Sequence, residues 1–188
     1  LRGPACVAQN QGAPGLSMPG TAAGEALPGP DGGTYLCVPP GKFLMGPETG
    51  DPDEQPVYRI STTAGFWLSE CEITNARYRR FCEATGREFP AHSDQAEDHP
   101  VHSVTWHDAA AYCVHYGLRL LGETEWEYAA RGPESRAYPW GNEWAADRCC
   151  WGGNLGPERR TLPVGSLTGG RSWCGAMDLV GNVRGLAR

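Results

Sequence analysis

The stretch from Asp98 to Gly132, DHPVHSVTWHDAAAYCVHYGLRLLGETEWEYAARG, constrains the fold more than any other part of the chain, because it carries complete start and stop signals for two helices. Thr105 precedes an Ala-rich run and has Asp108 three residues on, so hydroxyl and carboxylate can each satisfy a free N–H of the first turn. Trp106, Ala109, Ala110, Cys113 and Tyr116 recur at three- and four-residue intervals, which predicts one buried stripe, and Gly117 supplies a left-handed stop. After a short basic-apolar link, Gly122 can serve as the N-cap of a second helix. Glu123 and Glu125 then oppose its positive end, Arg131 its negative end, and Gly132-Pro133 closes it.

Around this pair the chain reads as short strands and loops. Residues 1–33 are rich in Gly, Pro, Ala and Ser, too poor in large apolar groups to offset ordering entropy, and are expected to form a flexible arm. Gly-Pro-Ala ahead of Cys6 matches a lipobox poorly. From residue 34 to 188 a folded domain is expected. Tyr35, Cys37 and Val38, then Phe43, Leu44 and Met45 after Pro39-Pro40-Gly41, read as two strands around a turn. Residues 46–56 form an acidic loop in which Glu48, Asp51, Asp53 and Glu54 lack the ligand register of an EF-hand. Residues 57–61 alternate as a half-buried strand does, and Phe66-Trp67-Leu68 opens another. Thr74 caps a helix with Tyr78, Phe81, Cys82 and Thr85 inward, Arg77, Arg79 and Arg80 toward water, and Gly86 at its exit.

Composition excludes several classes. A net charge of −6 and a pI near 5.4 do not suit nucleic acid or an anionic membrane surface, both of which need a basic face. No apolar run approaches the roughly 18 residues that a membrane-spanning helix needs. The eight cysteines include no CxxC pair, so a zinc ribbon has no basis. Cys37, Cys71, Cys82 and Cys113 read as small buried hydrophobes, whereas disulfide pairing is the ordinary expectation among Cys149, Cys150 and Cys174. His92, His99 and His102 lack a carboxylate at fixed spacing and do not make a zinc site. Gly152-Gly153 and Gly169-Gly170 lack the strand and helix that a phosphate loop requires. Nothing in the chain names a compartment.

Six segments in fixed order carry a resemblance: YLCVPPGKFLMG at 35–46, GFWLSECEITNARYRRFCEATG at 65–86, the central helix pair, YPWGNEW at 138–144, LPVGS at 162–166 and AMDLVGNV at 176–183. Together they resemble the formylglycine-generating enzyme (sulfatase-modifying factor) family. Leu121 and Gly122 depart from it, standing where members usually have Pro-Thr. The resemblance implies an α+β fold, a variant of the C-type-lectin-like fold, with short antiparallel strands, two to three helices and long ordered loops, incomplete at the C-terminus. It also implies an enzyme that uses oxygen and copper(I), held by two cysteines, to convert a cysteine of a sulfatase polypeptide to formylglycine. Soft thiolates suit that ion.

In the family that cysteine pair lies in the last third, which falls beyond Arg188, so no catalytic residue is assigned, copper(I) is not expected to bind here, and the chain as given is expected to be inactive. A non-catalytic lectin-like binding or scaffold module is the alternative. Members also continue Gly-Asn-Val with Trp-Glu-Trp and hold calcium there. Here Gly181-Asn182-Val183 is followed by Arg184-Gly185-Leu186, so Gly181 and Asn182, with Asp147 at a second position, are calcium candidates of weak expected affinity. The abrupt divergence after Val183 suggests a shifted reading frame, and loss of the final strands would leave sheet edges unpaired.

Overall fold

The computed structural model describes residues 2–4, 6–8, 22–46, 56–93, 96–153 and 160–186, the first two stretches as backbone. The acidic loop, apart from Gly46 and Pro56, lies outside the described residues. The elements run β1 (Arg2–Pro4), β2 (Cys6–Ala8), β3 (Ala26–Pro28), β4 (Thr34–Val38), β5 (Gly41–Met45), β6 (Tyr58–Thr62), β7 (Phe66–Ser69), α1 (Asn75–Thr85), α2 (Trp106–His115), β8 (Leu118–Leu120), α3 (Glu123–Arg131) and β9 (Arg184–Leu186), with one 3-10 turn at Thr168–Gly170. This is the expected α+β arrangement of small sheets with three helices.

A five-stranded antiparallel sheet in the order β3-β4-β7-β2-β8 organises the molecule. β5 and β6 form a separate hairpin, and β1 pairs with β9 in parallel. Because side chains alternate across a strand, the central sheet divides the apolar residues between two cores. Tyr35 and Cys37 of β4 and Trp67 of β7 face α1 and α2, packing with Tyr78, Phe81, Tyr112 and Cys113. Leu36, Val38, Phe66 and Leu68 face the other way and pack with Phe43, Leu121, Tyr128 and Cys174. A sheet covered on both faces needs near-continuous apolar strands, and all of Phe66–Ser69 is buried accordingly.

The helix signals hold at most positions. Thr105 accepts from the Asp108 N–H at 3.2 Å while the Asp108 carboxylate accepts from the Thr105 N–H at 3.2 Å. Gly122 donates its N–H to Glu125 at 2.9 Å, giving α3 half of a capping box, since glycine has no side chain to complete it. Glu125 also takes both terminal nitrogens of Arg119, at 2.5 and 2.6 Å. Arg131 at the end of α3 pairs with Glu127 and donates to the carbonyls of Gly46, Ser135 and Arg136. Gly86 and Gly117 take positive φ at the exits of α1 and α2.

Several expectations need correction. Arg77 does not face water: it is 8% exposed and forms an ion pair with Asp31, itself inside the core. Thr85 is exposed and returns its hydroxyl to the Phe81 carbonyl at 2.7 Å. Trp106 is 44% exposed because it begins α2, beyond the packed stripe, and Tyr112 fills the buried position instead. The basic-apolar link between α2 and α3 is a strand, β8. Within residues 1–33, expected as a flexible arm, β1, β2 and β3 are strands. Ladder pairing uses backbone groups that every residue but proline carries in full, so a segment short of large side chains can still enter a sheet. The diverged tail supplies β9.

Candidate functional site

The junction where loops 70–72, 149–151, 161–165 and 177–183 meet contains two of the three calcium candidates. Asn182, at φ 56°, donates its backbone N–H to the Cys150 carbonyl at 2.8 Å. Its side-chain oxygen accepts from the Leu162 N–H at 2.9 Å, and its side-chain nitrogen donates to the Leu162 carbonyl at 3.2 Å and to Glu72 Oε2 at 2.8 Å. Glu72 Oε1 accepts from the Val183 N–H at 3.1 Å. One asparagine thus ties three loops together, with both side-chain N–H donors and one acceptor site of its amide engaged by protein partners. Gly181, at φ 87°, bridges to Cys150, and a Cβ there would stand 1.9 Å from the Cys150 carbonyl oxygen. Only glycine fits that approach.

The junction is acidic and partly buried. Burial pushes the Glu72 carboxyl well above its usual value, the neighbouring Asp178 adds to the rise, and the Val183 and Asn182 donors offset part of it. Asp178, at φ 57°, accepts from the Gly165 N–H at 2.6 Å, and burial raises it too. Two enclosed carboxyls with raised values hold protons more firmly than free ones do. Neither was singled out by sequence, since a lone Glu after an apolar strand and an Asp in a loop carry no spacing signal. Asp147, the third calcium candidate, is exposed. Among the described residues no three His, Cys, Asp or Glu side chains are grouped so as to hold a metal ion.

The thiols are equally informative. Cys71, Cys82, Cys150 and Cys174 carry free thiols, so no disulfide joins any two of Cys149, Cys150 and Cys174, which corrects the expectation of pairing among them. Burial pushes the Cys71 thiol up to about 12, with Asp178, Glu70 and Glu72 adding to it. Burial likewise raises Cys37, Cys82, Cys149, Cys150 and Cys174. Cys174 lies 3.3 Å from Ser172 Oγ and 3.7 Å from the Ala129 carbonyl, the setting of a core thiol. These residues do not fit a copper(I) centre, which needs two converging thiolates. The histidines weighed as zinc ligands lie apart in role: His99 Nδ1 meets Thr161 Oγ1 at 2.8 Å, and His102 Nδ1 meets Ser103 Oγ at 3.0 Å.

Beside the junction the YPWGNEW segment forms a tight aromatic turn. Tyr138 and Gly141 form a bridge, and the Tyr138 and Trp140 rings lie nearly parallel, 5.3 Å apart. Trp144 and Trp151 extend this aromatic row, 46% and 41% exposed.

Known proteins place the chain. The family model of the sulfatase-modifying factor enzyme 1-like domain matches residues 25–187. The formylglycine-generating enzyme of Mus musculus is 29% identical over 157 residues, covering 56% of this chain and 42% of that protein. Hercynine oxygenase of Mycolicibacterium thermoresistibile is 32% identical over 205 residues, 87% of this chain and 45% of its own length. The inactive C-alpha-formylglycine-generating enzyme 2 of Bos taurus is 40% identical over 93 residues, 45% of this chain and 31% of that protein. The chain therefore spans less than half the length of these relatives. PvdO from Pseudomonas aeruginosa shares the fold, with a TM-score of 0.72 at 23% identity over 85% of this chain and 72% of that one. On a match that takes in both cores and the loop junction, the chain belongs to the sulfatase-modifying factor enzyme 1-like domain family.

Proposed function

We infer that this chain is the scaffold of a formylglycine-generating-type domain, whose partner is a cysteine-bearing polypeptide of the sulfatase class, and that residues 1–188 do not oxidise that cysteine themselves. The state of the thiols carries this reading. Cys37, Cys71, Cys82, Cys149, Cys150 and Cys174 have their thiols raised, chiefly by burial, so at these positions thiolate, the form that binds copper(I) and attacks, is scarce near neutral pH. The similarity to an inactive relative supports the same conclusion. The test is to incubate the chain with copper(I), a reductant, oxygen and a Cys-x-Pro-x-Arg peptide, following the peptide by mass. The peptide is expected to return unchanged; aldehyde formation would overturn the inactive assignment.

The exposed row of Trp144 and Trp151 favours a second reading, a lectin-like binding or scaffold module that acts by display. Fluorescence anisotropy of the same peptide separates the two. A scaffold for sulfatase recognition binds it saturably without turnover, whereas a module with another partner leaves it free.

A further inference from the structure

One interior strand of the central sheet, β2, comes from residues 6–8, more than fifty positions ahead of the partners on either side. β2 lies antiparallel to both its neighbours, with Val7 opposite Leu68 of β7 on one side and Arg119 of β8 on the other. Among the described strands β8 pairs with no other, so the unit of α2 and β8 enters the sheet through β2 alone. β7 is already paired on its far side by four positions of β4. The facing edges of β7 and β8 thus make a slot one strand wide. Backbone groups fill it, and an extended segment without proline at the pairing positions supplies them wherever it comes from.

The connection out of the slot is long. Gly24 and Glu25 are hydrogen-bonded to Cys37 of β4, so residues 9–23, fifteen in number, make the link from Ala8. Fully extended, that many residues reach on the order of 50 Å. In the sheet β2 and β3 are separated by β7 and β4, three strand spacings or roughly 15 Å. The link exceeds what closure within one chain requires and is long enough to reach a second chain. β1 travels with β2 and pairs with β9 in parallel from Arg2↔Arg184 to Pro4↔Leu186, so both ladders belong to the same arm.

We propose that the slot between β7 and β8 is a strand-acceptor site, and that the arm carrying β1 and β2 can be delivered to it by a second copy, giving an arm-exchanged dimer. Each copy gives and receives the same segment, so the assembly closes with twofold symmetry and repeats every ladder contact of the single chain.

The test uses the full chain and a fluorescein-labelled peptide with the sequence of residues 1–12. The wild-type chain is expected to bind it saturably. Val7→Pro removes the backbone donor at the centre of β2, so the chain's own arm no longer competes and the peptide should bind roughly tenfold more tightly, the apparent affinity following the fraction of open slots. A peptide carrying the same proline should not bind. Light scattering on a sizing column should find a dimer in the wild type that is lost in Val7→Pro. Equal binding of both peptides, no binding to either folded chain, or an undiminished dimer in Val7→Pro overturns the proposal. Should Val7→Pro fail to fold by circular dichroism, native mass spectrometry of mixed light and nitrogen-15 wild-type chains decides. Slowly forming mixed dimers support arm exchange, and chains that stay monomeric at high micromolar concentration refute it.

Discussion

Asp31 is the residue around which the first core is polarised. Its carboxylate accepts from Tyr112 at 2.7 Å, from Tyr35 at 3.1 Å and from Arg77, and the Gly33 N–H adds a bond at 3.2 Å. Burial would raise this carboxyl, but the Arg77 charge and these donors outweigh it and hold it below the usual carboxylate range. Breaking a buried pair from one side strands the other charge. Asp31→Asn is therefore expected to cost about 3–5 kcal/mol in urea unfolding, and adding Arg77→Met should recover part of the loss. The stability the lowered carboxyl contributes is present above its unfolded value of 3.8 and lost as pH falls through the folded one. At Gly181 the argument is steric: with φ at 87° and the Cys150 carbonyl in the way, Gly181→Ala should lower the thermal midpoint by the equivalent of about 1–3 kcal/mol.

At the scale of elements, legibility followed how local each cause is. The caps of α1, α2 and α3 were readable because Thr74, Thr105 with Asp108, and Gly122 with Glu125 act within three residues of one another. Thr105→Ala should cost about 1 kcal/mol in thermal or urea unfolding, with helix content otherwise kept. Arg77 was misread because three arginines within four residues of a helix normally mark its wet face, and its partner Asp31 lies in a distant turn that gives no hint of burial. β8 was missed because three residues between two helices show no period. The junction of Glu72, Leu162, Cys150 and Asn182 was half legible: the Gly-Asn-Val segment stood out through the family resemblance, while the carboxyls that hold and surround it did not.

Across the whole molecule, the first core around Asp31 and the loop junction around Glu72 meet different pH windows. Glu72 and Asp178 have folded values above their unfolded ones of 4.5 and 3.8, so the unfolded chain releases these protons first. The stability that they contribute is complete below the unfolded values and is lost as pH rises through the folded ones. The thermal midpoint is expected to decline from mildly acidic to neutral pH. Asp178→Asn keeps a side-chain acceptor for the Gly165 N–H but removes the like charge beside Glu72, and should flatten that decline. Calorimetry across the range checks it, and an unchanged slope in the variant would count against this origin.

The position of β2 also dictates an order of events during synthesis. Cys6–Ala8 leaves the ribosome more than a hundred residues ahead of its partner Leu118–Leu120. Helices and hairpins downstream can form as they emerge, but the sheet that unites them must wait, so its closure is a late and slow step, with strand edges open to wrong partners in the interval.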